Sequence, residues 1–253
     1  RYGAGGVAAL GGGSYFTATG CDIVSDGDYA GALAANTSGY GYDFTYSVVN
    51  GCNVRAKSYA GGAVGLSNIN SRRNIVVQDS AIYADQYAGG LLGYSDAQNY
   101  TQNIYQNVIK NCKIGSSADK YPKASEDRSG GYKVKWIEES GSGSKMVGGL
   151  CGASYGAILY NNLVDDSVEI LANEYAGGVI GIGGGAQSYN LEIGAKIKAE
   201  SNYAGGYAGR LTGYAESPSG PNVLKTPVTK IYRSIFTGTV EGSAGVGGLA
   251  GYF

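Results

Sequence analysis

Histidine is absent from the 253 residues, and that absence removes more chemistry than any other feature of the chain. Without an imidazole there is no Ser-His-Asp or Cys-His centre, and the commonest metal ligand is missing. Tryptophan and methionine occur once each, and phenylalanine and proline four times each. A chain so poor in Phe, Trp and Met must build a thin core from Ala, Val, Ile, Leu and small residues, with modest apolar burial repeated many times. An excess of either charge is lacking too. Nineteen basic and 20 acidic residues leave a net charge of −1, so nothing electrostatic favours a nucleic-acid or anionic-membrane partner. Long apolar runs are also missing, since glycine interrupts each within a few residues, so no membrane span is expected, and a leader segment is either absent or already removed. Arg1 is not an initiator, so the missing leader does not place the protein inside a cell. The four cysteines, Cys21, Cys52, Cys112 and Cys151, form no CxxC pair that would suggest zinc, and the chain is too long for a disulfide-stapled miniprotein.

What is abundant is glycine, with 45 residues, and tyrosine, with 23. Many of them fall in one recurring unit. It reads Tyr87-Ala88-Gly89-Gly90-Leu91-Leu92-Gly93-Tyr94 and returns from Tyr29, Tyr59, Tyr175 and Tyr203, with weaker copies at Gly3 to Ala9, Lys145 to Gly152 and Ala244 to Gly251. The first glycine of each pair falls at Gly5, Gly31, Gly61, Gly89, Gly148, Gly177, Gly205 and Gly247, at intervals of 26, 30, 28, 59, 29, 28 and 42 residues. Periods of this size mean a solenoid, propeller or array. Ahead of the motif comes an alternating stretch, such as Cys52 to Ala56 or Ala195 to Ala199, which reads as a half-buried strand. Ahead of that comes a third apolar element, such as Tyr46 to Val49 or Ile104 to Ile109. Asn50-Gly51, Gln78-Asp79 and Lys110-Asn111 separate the two as tight turns.

Three short strands in about 28 residues is the arithmetic of a stacked parallel sheet. The fold expected is therefore all-β, a parallel β-solenoid (β-helix) of about eight to nine rungs. It forms a single domain over residues 1–253, with loop inserts at 116–145 and 213–230. Stacking converts sequence columns into ladders. One column reads Cys21, Cys52, Ser80, Cys112, Val168, Ala195 and Gly238, where a thiol acts as a small hydrophobe, and free, buried thiols are favoured over a Cys21–Cys52 bridge. The paired glycines suit either a bend with positive φ or a close backbone approach. In a continuous strand Leu91 and Leu92 point to opposite sides, which implies an exposed apolar ladder or a cover.

The insert at 116–145 holds Trp136, and its segment Tyr132 to Glu138 alternates like a hairpin arm. It reads equally as a binding loop and as a lid over an apolar edge. The other insert holds Pro218, Pro221 and Pro227. The chain starts inside one glycine motif and stops inside another with no capping helix. That predicts either a piece of a longer protein or ends covered by other copies.

The Tyr-Ala-Gly-Gly-Φ-Φ-Gly unit resembles the GLUG repeat of bacterial surface and secreted proteins, found in adhesin-like chains and in immunoglobulin A metallopeptidases. Gly89-Gly90-Leu91-Leu92-Gly93 and Gly248-Leu249-Ala250-Gly251 carry the likeness best, Gly31-Ala32 and Ala34-Ala35 depart from it, and it covers residues 1–114 and 145–253. The resemblance implies an extracellular or cell-surface location and a stalk or adhesive role. The peptidases' His-Glu-x-x-His zinc motif is absent.

The expected function is a non-catalytic extracellular structural or adhesive segment with no cofactor, whose partners would be host or matrix glycoproteins or glycans. Its binding residues would be Trp136, Tyr132 and the column Tyr29, Tyr59, Tyr87, Tyr175 and Tyr203, although such a ladder also simply stabilises a solenoid. One alternative is a subunit that self-associates head to tail into a filament. Another is a polysaccharide-cleaving β-helix enzyme using Asp165-Asp166, a pair better read as a solvated turn. Asp22, Asp26 and Asp28 make an acidic turn whose spacing matches neither calcium-loop pattern.

Overall fold

In a computed structural model the chain winds as an all-β parallel solenoid. The structure describes all residues except 1–2, 11, 38–42, 68–70, 98–101, 117–119, 128–132, 141, 213, 217–222 and 226–227, and the side chains at 8–10, 126–127, 133–135, 214–216 and 223–225. Each rung is divided more finely than the three strands expected. The rung that opens at Tyr87 runs through Tyr87–Gly89, Leu92–Asp96, Asn103–Tyr105, Val108–Lys110 and Lys113–Gly115. Like strands of successive rungs pair in parallel, giving five sheets in the order the chain visits them. Among the described residues the first and second sheets hold eight strands each, and the third, fourth and fifth hold seven.

Two breaks turn three strands into five. The glycine motif bends at Gly90-Leu91, between the first sheet and the second. The third apolar element is interrupted by one left-handed residue per rung: Tyr15, Tyr46, Asn74, Gln106, Asn161, Asn190 and Arg233 have φ between 49° and 63°. Asparagine suits that conformation best among residues with a side chain. The turn pairs stand where expected, with Gly51, Asp79 and Asn111 at φ of 63°, 55° and 44°.

The bend at Gly90-Leu91 also removes the exposed ladder that the sequence implied. Leu91 and Leu92 are both fully buried, because strand alternation does not run across a bend. The motif glycines are explained by close approach rather than by positive φ, since none of Gly61, Gly89, Gly148, Gly177 and Gly205 has it. A Cβ on Gly89 would lie 1.9 Å from the Leu92 carbonyl oxygen and 2.6 Å from Gly152 N, so the backbones of the first two sheets touch there. The copy that opens at Tyr29 compensates in kind: Ala35 replaces a glycine, and a Cβ at Gly3, on the adjoining rung, would meet the Ala35 Cβ at 2.7 Å.

Ladders of one side-chain type fill the interior. The fifth sheet contributes Ile23, Val54, Ile82, Ile114, Ile170 and Ile197, and the fourth Val49, Val77, Ile109, Val164 and Ile193. Each such side chain, fully buried, contributes about 1.5–3 kcal/mol. Beside the left-handed bend the column turns polar. Asn107 accepts from Ile75 N at 3.0 Å and donates to Arg72 O at 2.9 Å, while Asn162 donates to Ile104 O at 2.8 Å. Cys52, Cys112 and Cys151 are buried and Cys21 half-buried, and all four are free thiols.

Candidate functional site

The first insert folds as an antiparallel hairpin of Lys120–Asp127 and Lys133–Ser140, with Ala124 opposite Trp136. Alternation in the second arm gave it away as a strand. The hairpin lies on the outward face of the fifth sheet, covering it as a lid would. Tyr121 stacks on Tyr83 with ring centroids 4.8 Å apart, and the Arg55 guanidinium sits 4.9 Å from the Tyr121 ring. The Asn53 amide grips the hairpin backbone, donating to Ala124 O at 2.9 Å and accepting from Ala124 N at 2.7 Å. Lys123 reaches Glu139 at 3.2 Å and Asp22 at 3.7 Å. Hydrogen bonds from the Tyr121 hydroxyl and from Lys123 hold the Glu139 carboxyl below the usual carboxylate range. Burial, then the Glu139 contact, raises the Tyr121 phenol.

Between hairpin and sheet lies a cleft of about 410 Å³, lined by Trp136, Lys113, Glu169, Lys120, Glu138 and Leu171 among others. Lys113 Nζ stands 5.5 Å from the centre of the Trp136 ring and pairs with Glu169 at 2.8 Å. Lys120 pairs with Glu138 at 3.1 Å across the same opening. An indole flanked by charged hydrogen-bonding groups suits an amphipathic ligand with one apolar face and many hydroxyls. Tyr132 lies outside the described residues.

The tyrosines of the glycine motif stand in one column of the first sheet, but as two stacks. Tyr29, Tyr59 and Tyr87 stack at 5.4 and 5.2 Å, and Tyr175 and Tyr203 at 5.9 Å, with Met146 in register between the groups. Tyr94 meets Tyr59 and Tyr87 edge-on at 5.3 and 5.7 Å, within an apolar cluster that includes Leu66, Ala153, Tyr155 and Ile182. Ring faces that cover one another and pack on a cluster stabilise the solenoid, which supports the structural reading of this column.

A second tyrosine column escaped the sequence reading. Tyr105, Tyr160, Tyr189 and Tyr232 occupy the last position of consecutive strands in the third sheet. Its signal was present as a tyrosine directly before each of the left-handed residues Gln106, Asn161, Asn190 and Arg233. A buried cation was missed as well. Arg72 is fully buried and donates to Thr37 Oγ1 at 2.6 Å and Ser67 Oγ at 2.8 Å, and burial pushes its pKa down to about 9.

The acidic candidates disperse. Asp165 accepts from Ser167 N at 3.0 Å and from the Ser167 hydroxyl, contacts that lower its pKa, as a turn cap would and a general acid would not. Asp22 accepts from Asn53 at 2.6 Å and Asp28 from Ser58 at 3.1 Å, each tying one rung to the next. Among the described residues no group of three His, Cys, Asp or Glu side chains converges as metal ligands would. Compared with known proteins, the chain matches no family model, no curated protein and no solved structure.

Proposed function

We propose that this chain is a non-catalytic structural and adhesive segment of a bacterial extracellular or cell-surface protein, a stiff scaffold that carries a ligand cleft on its side. The observation that carries this reading is the Trp136 cleft, built where the repeat is interrupted and held against the fifth sheet by the Asn53, Arg55 and Tyr83 contacts. A scaffold for adhesion needs a surface fixed in shape, and parallel register from rung to rung supplies it. The resemblance of the Tyr-Ala-Gly-Gly unit to GLUG repeats supports the same location and role. The partner class is a host or matrix glycoprotein, taken through its glycan. A glycan array combined with pull-down from matrix glycoproteins tests the reading. Binding by the native chain that falls about tenfold in Trp136→Ala is the expected result. No binding by the native chain to any glycan or glycoprotein overturns it.

A further inference from the structure

We infer that the outward face at the junction of the third and fourth sheets is a track for an extended, uncharged, β-linked polysaccharide lying along the solenoid axis, one sugar per rung. The inference rests on the adhesive reading above but concerns a different face from the Trp136 cleft. Three columns build the track. Tyr105, Tyr160, Tyr189 and Tyr232 supply one ring per rung, with centroids 4.8 Å apart for Tyr105–Tyr160 and 5.0 Å for Tyr189–Tyr232. The exposed amides of Gln106, Asn161 and Asn190 follow directly, each held in the same left-handed turn, with φ of 59°, 55° and 52°. Val76, Val108 and Leu163 then form a half-buried aliphatic edge on the fourth sheet.

The chemistry of these columns selects the ligand. Asn190 Nδ2 donates to Asn161 Oδ1 at 3.2 Å, so the pair fixes its own orientation and still offers Asn161 Nδ2 as a donor and Asn190 Oδ1 as an acceptor. Among the described residues the hydroxyls of Tyr105, Tyr160 and Tyr232 make no hydrogen bond to the protein. The rings stack in two pairs, Tyr105 on Tyr160 and Tyr189 on Tyr232, and being only partly buried they leave edges and hydroxyls to meet a sugar chain beside the aliphatic column.

Charge is the second argument. On the rungs of Tyr105 and Tyr160 the three columns carry none; one carboxylate, Glu192, enters on the Tyr189 rung and one cation, Arg233, on the Tyr232 rung, and Arg73 precedes Tyr105, so no run of one sign lines the track. The fifth sheet differs: Lys113 pairs with Glu169, and Lys196 and Lys198 follow in register. An anionic polymer would require a cationic column here. An added peptide strand would require a sheet edge, which a sheet face does not offer. Spacing is the third argument, because stacked strands repeat about every 4.8 Å and an extended β-linked pyranose chain advances by about one such step per sugar.

Calorimetric titration with neutral β-1,4-linked gluco- and N-acetylgluco-oligosaccharides, from the disaccharide to the hexasaccharide, tests the track. Affinity should rise by about tenfold or more between disaccharide and tetrasaccharide, then level off. Tyr160→Ala with Tyr189→Ala should lower it about tenfold, and so should Asn161→Asp with Asn190→Asp, which keeps every ring of the two stacked pairs. Lys198→Ala, an exposed position on the fifth sheet, should leave it unchanged. Affinity independent of length, or native affinity in both double variants, overturns the track. If glycans bind but only Trp136→Ala loses them, the track falls and the adhesive reading stands. If neither these oligosaccharides nor any arrayed glycan or matrix glycoprotein binds, both fall.

Discussion

The Asn107 side chain donates from Nδ2 to the Oδ1 of Asn162, one rung away, at 2.9 Å, and the same Asn162 oxygen accepts from Asn107 N at 3.1 Å. This amide-on-amide step is buried between the inward columns of the third and fourth sheets, where the chain turns through its left-handed residue. It satisfies backbone groups that no strand ladder reaches at a bend.

Replacing Asn107 with alanine removes the side-chain partners of Ile75 N and Arg72 O, while the Asn162 oxygen keeps the backbone N–H of residue 107. At about 1–3 kcal/mol for each buried group left unsatisfied, the loss should reach roughly 3 kcal/mol or more. Urea unfolding should show a lower midpoint with an unchanged slope.

Gly89→Ala should be among the most damaging of single-methyl additions. The new carbon must displace backbone at 1.9 Å, a cost at or beyond the upper end of the about 1–3 kcal/mol usual for overpacking. Gly248, where nothing lies within 4 Å, is the control, and its alanine variant should stay within about 0.5 kcal/mol of the native chain. Thermal unfolding of the two variants side by side makes the comparison.

Thiol titration should divide the cysteines. Burial pushes the pKa of Cys52 up to about 11 and that of Cys112 up to about 12, and it raises Cys151 as well. Only the thiolate reacts. A chromogenic disulfide reagent at mildly alkaline pH should therefore modify Cys21 in the native protein and all four thiols after denaturation.

Hairpin docking should weaken in acid. Glu139 has its pKa depressed in the docked state, so its contribution is complete above the ordinary carboxylate value of 4.5 and is lost as pH falls through the lower, docked value. Trp136, the single tryptophan, reports the change by its fluorescence. In Tyr121→Phe, which removes the hydroxyl held by Glu139, the midpoint should move up toward the ordinary value. Tyr121→Ala also removes the ring stacked on Tyr83, worth about 0.5–1.5 kcal/mol, and limited proteolysis at Lys120 and Lys123 should then quicken.

Within the chain, the sequence by itself determined what depends on period and residue size. Eight glycine motifs set the eight-stranded first sheet, alternation in Lys196–Ala199 set the half-buried fifth, and Asn50-Gly51 set a tight turn. These are local preferences repeated in register, so reading one rung reads them all. The tertiary structure decided what depends on contact between segments distant in sequence. It placed the bend at Gly90-Leu91, made Gly89 obligatory through the backbone of the next rung, laid Tyr121 on Tyr83, and lined up Tyr105 with Tyr160. The physical reason is the same in each case: a sequence column becomes a surface only after stacking sets which side of the wall it faces.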